Sequence, residues 1–219
     1  MEFPFGKEAL LMIPGPCGSL EAVLHQGNVE GHFAGQQSLV VICHPHPVHG
    51  GTMDNKVVTT LMRTYRDLGI HVLRFNFRGV GKSEGEFDNA IGERDDLTAI
   101  LRWVEASLPE TELLLAGFSF GSSIAAQGSY EAGKLRHLTL VAPPVERYPY
   151  ERNNRFPCAI CIVQGDKDER VNAQGVYDWS VGLQGDVELL RYTDAGHFFH
   201  GYLAVLKNDL AQVLQRQLQ

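Results

Sequence analysis

The chain is predicted to be an α/β protein: a mostly parallel, doubly wound sheet with helices on both faces, opened by one antiparallel strand pair. Three observations predict it. From Leu39 onward, short apolar runs alternate with stretches of helical periodicity, the pattern of repeated strand–helix–strand crossovers. Near the start, two strand-like runs are separated only by the turn-rich Pro14-Gly15-Pro16-Cys17-Gly18, which reads as a hairpin. Finally, 219 residues suffice for one such domain with a substantial core. No linker, repeat or low-complexity segment divides them, so residues 1–219 are expected to form a single domain.

The elements follow in order. The opening strands cover residues 10–13 and 20–25. Residues 39–43 are a short apolar strand, and residues 55–68 place apolar side chains at helical spacing. A strand at 71–75 precedes a long amphipathic helix at 91–107, which stops before Pro109. Residues 113–118 form a strand, 119–132 a helix and 135–141 a strand. A further strand is expected at 158–163, a helix at 173–183, a last strand at 187–192 and a closing helix at 202–218.

Composition narrows the function. A formal net charge of −7 argues against nucleic acid or an anionic membrane as partner. No apolar run approaches the length of a membrane span. The N-terminus lacks a basic segment followed by a long apolar stretch, so a cytoplasmic location is expected. The four cysteines do not suggest a disulfide framework. Cys43 ends one apolar run, and Cys158 and Cys161 lie in or beside another. Residues three apart on a strand face opposite ways, so this pair is poorly placed to bridge or to share a metal. Buried free thiols in a reducing compartment are the reading.

Open sheets of this kind bind ligands beyond the carboxyl ends of their strands. There, Ser119 sits in Gly117-Phe118-Ser119-Phe120-Gly121, between a strand and a helix. A sharp strand-to-helix turn holds the central residue in a strained conformation with its hydroxyl projecting from the sheet. Glycines on either side leave room where a side chain would strike the neighbouring strand or helix. Ser119 is therefore the candidate nucleophile.

A serine hydroxyl needs a base, and near neutral pH that base is histidine. Of nine histidines, His197 follows the last strand behind the small residues Ala195-Gly196, on the same edge as Ser119. His200 is expected to pack at the start of the final helix. The base in turn needs a carboxylate to hold its tautomer and stabilise its cation. The loop Gln164-Gly165-Asp166-Lys167-Asp168-Glu169 offers three. Asp166, directly after Gly165, suits a hydrogen bond to its own turn. Asp168 lies further out, where the chain can curl toward a neighbouring loop, and is preferred, with Asp166 and Glu169 as alternatives. Attack on a carbonyl creates an oxyanion that needs N–H donors. One is the backbone N–H of Phe120. The other falls in His44-Pro45-His46-Pro47, where proline lacks the N–H and leaves His46 as the donor within residues 45–47.

Taken together, the elbow, the acid loop, the Gly196-His197 loop and Arg74-Phe75-Asn76-Phe77-Arg78-Gly79-Val80-Gly81-Lys82-Ser83 resemble the α/β-hydrolase superfamily. The last segment resembles that family's R-G-x-G-x-S loop after its fourth strand. Residues 44–58, HPHPVHGGTMDNKVV, resemble small bacterial hydrolases related to the dienelactone hydrolases and carboxylesterases. The resemblance spans most of the chain from Leu39. It implies an α/β-hydrolase fold, and it implies the triad order Ser119, Asp168, His197. The chain departs from the common H-G loop at Pro45. It departs from dienelactone hydrolases at Ser119, where they carry cysteine, which argues against lactone specificity.

Only residues 142–157 separate the strand at 135–141 from the next, too few for a lid of two or more helices. An open site suits a small or flexible ester-type substrate. Thioesters and activated amides share the machinery, and the oligomeric state is left open. Glu146-Arg147-Tyr148-Pro149-Tyr150-Glu151-Arg152 reads first as a solvated loop, with a wall of the acyl or alcohol site as the alternative. No cofactor or metal is required. Two rivals remain. His44, His46 and His49 echo the H-x-H-x-D-H zinc motif of metallohydrolases, although its aspartate is Val48 here. The fold could also serve as a non-catalytic binding module. The reading is a carboxylesterase-like serine hydrolase.

Overall fold

The computed structural model describes residues 6–219. Strands β1 (Glu8–Gly15) and β2 (Gly18–His25) pair antiparallel across their whole length. Then come β3 (Ser38–Cys43), α1 (Lys56–Asp67), β4 (His71–Phe75), α2 (Gly92–Ser107), β5 (Glu112–Phe118) and α3 (Phe120–Gly128). The chain continues through β6 (Leu135–Val141), β7 (Ala159–Gly165), α4 (Ala173–Val181), β8 (Val187–Tyr192) and α5 (Leu203–Gln217). The strands form one eight-stranded sheet in the order β1-β2-β4-β3-β5-β6-β7-β8. All pairings from β4 to β8 are parallel, while β2 meets β4 antiparallel.

Two cores sandwich the sheet, and the strand sequences explain why. Along β3, Leu39, Val41 and Cys43 face one core, while Val40 and Ile42 face the other. β5 does the same, with Leu113 and Leu115 on one side and Leu114 and Ala116 on the other. An apolar run without polar alternation is what a strand buried on both faces requires. α2, α3 and α4 cover the first core, and α1 and α5 the second. Each fully buried Leu or Phe contributes roughly 1.5–3 kcal/mol by leaving water. Among the described residues, no helix is long and apolar enough to cross a membrane.

The expected elements are all present, with shifted ends. The hairpin strands are longer than expected because their pairing extends to the turn at Gly15 and Gly18. Helix α3 ends at Gly128 rather than Ala132, in a turn where the Ala132 N–H donates back to Gly128 O. Cys158 lies just outside β7, and Cys158 and Cys161 pack toward opposite cores. Burial pushes the Cys158 thiol up to about 12 and those of Cys43 and Cys161 higher, so these thiols stay protonated and unreactive.

The strand order sets the site. The chain moves outward from β3 to β4, then returns across β3 to β5 and continues the other way. This reversal places the loops after β3 and β5 side by side, with Cys43 paired to Gly117 at the carboxyl edge. A crevice forms at such a switch point.

Candidate active site

Ser119 occupies the turn between β5 and α3 with φ 53° and ψ −122°, a left-handed conformation costly for a residue with a side chain. The turn survives because its neighbours allow close approach. A Cβ on Gly117 would lie 2.3 Å from Gly121 O, and one on Gly121 would lie 2.3 Å from His44 O. Glycine at both positions therefore packs strand, elbow and histidine-rich loop against one another. The Ser119 N–H donates to Val141 O at 2.8 Å, tying the elbow to the end of β6. From inside α3, Ser122 Oγ donates to Ser119 O at 2.5 Å and stands 2.7 Å from the hydroxyl of buried Tyr150. Because the Ser122 proton goes to Ser119 O, Tyr150 is the donor in that second bond.

β8 lies three strands beyond β5, about 14 Å across the sheet, so its loop must reach back. It does so through a laced turn. Lys167 N–H donates to Ala195 O at 3.1 Å, Phe199 N–H to Gly196 O at 3.0 Å and His197 N–H to Glu169 Oε2 at 3.1 Å. The His197 ring rests on Phe118 and Phe198, with centroids 5.0 and 5.1 Å away. Its Nδ1 stands 2.8 Å from Asp168 Oδ2, and its Nε2 stands 3.1 Å from Ser119 Oγ. An ionised carboxylate only accepts hydrogen bonds. The ring proton thus sits on Nδ1, and the Nε2 lone pair faces the serine hydroxyl.

Asp168 is fully buried at its side chain. Burial pushes its carboxyl up, but the hydrogen bond and charge of His197 and the N–H groups of Arg170 and Val171 outweigh it and hold the group below the usual range. Both N–H groups donate to Oδ1 at 2.8 Å. Asp166, two residues earlier, turns away. Its carboxylate binds the Arg191 guanidinium and accepts from the Tyr177 hydroxyl. The expected bond to its own turn is replaced by partners on β8 and α4, which lower its pKa. Glu169 caps the His197 backbone rather than its ring.

Residues 44–51 form a tight loop around a 3-10 turn at Pro47–His49. His44 is completely buried. It accepts from Phe77 N–H at Nε2 (3.0 Å) and donates from Nδ1 to Pro45 O (2.6 Å). Burial pushes its pKa down to about 4. Both ring nitrogens are thus engaged with the protein, which leaves His44 no lone pair for a metal. The His46 and His49 rings lie 4.6 Å apart. Among the described residues, no group of three His, Cys, Asp or Glu side chains is arranged to hold a metal ion. The His46 and Phe120 rings are 4.9 Å apart, so the two expected N–H donors lie on adjoining segments. Among the described residues, neither N–H donates to a protein acceptor.

Three neighbouring regions differ from the sequence expectation or are not signalled by it. Residues 142–158 do not form a simple solvated loop. Tyr150 is buried against α3, and the Tyr148 ring packs edge-on to Phe120 at 5.6 Å. Residues 144–147 and 168–172 enclose a cavity of about 310 Å³ beside the acid loop. His200 is exposed ahead of α5, its ring 6.0 Å from Phe198, and not packed at the helix start. The loop after β4 is fixed by a buried ion pair that nothing in the residue pattern announces. The Arg78 guanidinium and backbone N–H both donate to Asp96 of α2, with Nη2 to Oδ1 at 2.7 Å.

Comparison with known proteins places this geometry in a family. The serine aminopeptidase, S33 family (Hydrolase_4) matches residues 36–163, a span that ends before Asp168 and His197. An uncharacterized protein of Rickettsia prowazekii is 40% identical over 161 residues, covering 70% of this chain and 68% of its own. A solved structure from Xanthomonas campestris, described as an α/β serine hydrolase without a lid, superposes with a TM-score of 0.89. It is 38% identical over 99% of this chain and 97% of its own. An α/β serine hydrolase homologue from Coxiella burnetii gives a TM-score of 0.87 and 41% identity, covering 98% of this chain and 100% of its own.

Proposed function

The chain belongs to the α/β-hydrolase family described as serine aminopeptidase, S33, and from that membership we propose that it is a carboxylesterase-like serine hydrolase working through Ser119, His197 and Asp168. The observation that carries the reading is the unbroken line of hydrogen bonds from Ser119 Oγ through the His197 ring to the Asp168 carboxylate. In this mechanism His197 Nε2 takes the proton as Ser119 Oγ attacks the carbonyl carbon. Asp168 stabilises the resulting imidazolium without itself accepting the proton. The backbone N–H groups of His46 and Phe120 stabilise the oxyanion. The protonated ring then returns its proton to the leaving oxygen, giving an acyl-enzyme. Water, activated by the same histidine, releases the acid. The substrate is a small or flexible ester. The short β6–β7 connection carries no helix that could cover the site.

The test is stoichiometric labelling of Ser119 by a serine-reactive phosphonate, located by peptide mass spectrometry. It is followed by a screen of acyl p-nitrophenyl esters, acyl-thioesters and aminoacyl amides. Labelling at Ser119 with turnover of short esters supports the proposal. Labelling absent from Ser119, or hydrolysis confined to aminoacyl amides, overturns the triad or the substrate class respectively.

A further inference from the structure

Gln164, the residue of β7 that precedes the acid loop, is completely buried and hydrogen-bonds the same carboxylate oxygen as His197. Its Nε2 donates to Asp168 Oδ2 at 3.2 Å and to Gly165 O at 3.0 Å. Among the described residues, its Oε1 is buried without a protein partner. Buried amide carbonyls are nearly always satisfied, and an orphan costs free energy. Turning the amide over would not relieve it, since that would set the carbonyl oxygen against two acceptors, one of them an anion. The two donor contacts thus hold the side chain in the one orientation that serves Asp168.

We propose that Gln164 is a positioning residue for the acid of the triad. It completes the donor shell around the Asp168 carboxylate and fixes the angle at which Oδ2 meets His197. Five contacts converge on that carboxylate: the Arg170 and Val171 N–H groups on Oδ1, the His197 ring on both oxygens, and Gln164 on Oδ2. Gln164 is the one side-chain donor among them that takes no part in the proposed proton transfer. It shares the negative charge of Oδ2 with the His197 ring and holds that oxygen where the ring meets it. The other charged or titratable groups near the pair are Glu169, on the His197 backbone, Arg170, over the Phe198 ring, and Tyr177 from α4. None of them replaces a lost donor at Oδ2.

The inference rests on the proposed triad, so its test runs beside Ser119→Ala and His197→Ala. Gln164→Met keeps the volume and removes the donor. With it, kcat should fall about ten-fold, as expected for a lost hydrogen bond to a charged group, while KM stays unchanged. Without the neutral donor, the carboxylate charge falls more heavily on His197. That favours its protonated form, so the acid limb of the rate profile should move to higher pH. Gln164→Leu removes the donor with a different side-chain shape and carries the test if the Met variant does not fold. It should move the acid limb the same way, because Asp168 Oδ2 loses the same hydrogen bond. Folded variants with unchanged kcat and unchanged pH profile, altered only in melting temperature, would overturn the proposal. Activity surviving in Ser119→Ala or His197→Ala would instead sink the triad itself.

Discussion

The loop after β3 and the loop after β8 both bring histidine to the same edge of the sheet, beside Ser119. In the first, the His44 ring is locked between Phe77 N–H and Pro45 O, and burial keeps it neutral. The backbone of that loop is stiffened by prolines on both sides of His46 and by hydrogen bonds returning from His49 and Gly51 to His46 O. In the second, the backbone is tied down by Glu169, while the ring is left to meet Asp168 on one side and Ser119 on the other. The same residue type thus serves as a clasp in one loop and, on the proposed mechanism, as a reacting group in the other. What separates them is which atoms the surroundings leave unspent.

The largest expected effect falls on the reacting ring and its partner. His197→Ala and Ser119→Ala should each cost on the order of 10⁶ in esterase rate, and the double variant little more, because such groups act as a unit. Full additivity of the two losses in folded variants would break the assignment. Next comes the acid. Asp168→Asn should lower turnover by about 10⁴ near neutral pH. Asp166→Asn should leave catalysis largely intact, since its carboxylate serves Arg191 and Tyr177. A reversed pattern would transfer the acid role to Asp166.

The clasp loop should respond to backbone changes and tolerate side-chain ones. His46→Pro removes an N–H and should cost about 10²–10³ in rate, whereas His46→Ala should keep most of it. Equal losses in both would mean that the His46 ring acts directly. His44→Leu should affect stability more than chemistry. It orphans the buried Phe77 N–H, at about 1–3 kcal/mol, measurable by denaturant unfolding. It should also flatten one pH dependence. The folded-state pKa of His44 is pushed down to about 4 from 6.5, so the unfolded chain binds a proton in that interval that the folded chain does not. Wild-type stability should therefore decline as pH falls from about 6.5 toward 4. The variant should lack that share of the decline, and an identical decline in both would contradict the clasp.

Much of this was legible in one dimension because it depends on local spacing. The elbow glycines, the prolines around His46 and the alternation of strands with helices are patterns within a few residues. The structure shows the physical contacts behind them at Gly117 and Gly121. What escaped depends on partners distant in sequence. Asp166 reads as a turn residue until Arg191 and Tyr177 are seen beside it. The buried Arg78–Asp96 pair, the Tyr150–Ser122 bond and the Gln164–Asp168 bond join segments through the fold. The displacement of β4 to the far side of β3 is also a property of the crossovers, which apolar periodicity does not encode.

The β6–β7 connection, held down by Tyr150 and carrying no helix, bears on the rhythm of turnover. A hydrolase with a mobile cover must wait for it to close before chemistry and to open afterwards, and such gating often limits the cycle. Here the wall of the site is pinned to the elbow it serves. On the proposed mechanism, encounter and escape then proceed by diffusion through a standing aperture, with no cover to close and reopen in each cycle. The absence of gating has a cost as well. On the same mechanism, water reaches the acyl-enzyme through the opening by which the substrate entered, and the intermediate stands exposed to hydrolysis from the moment it forms.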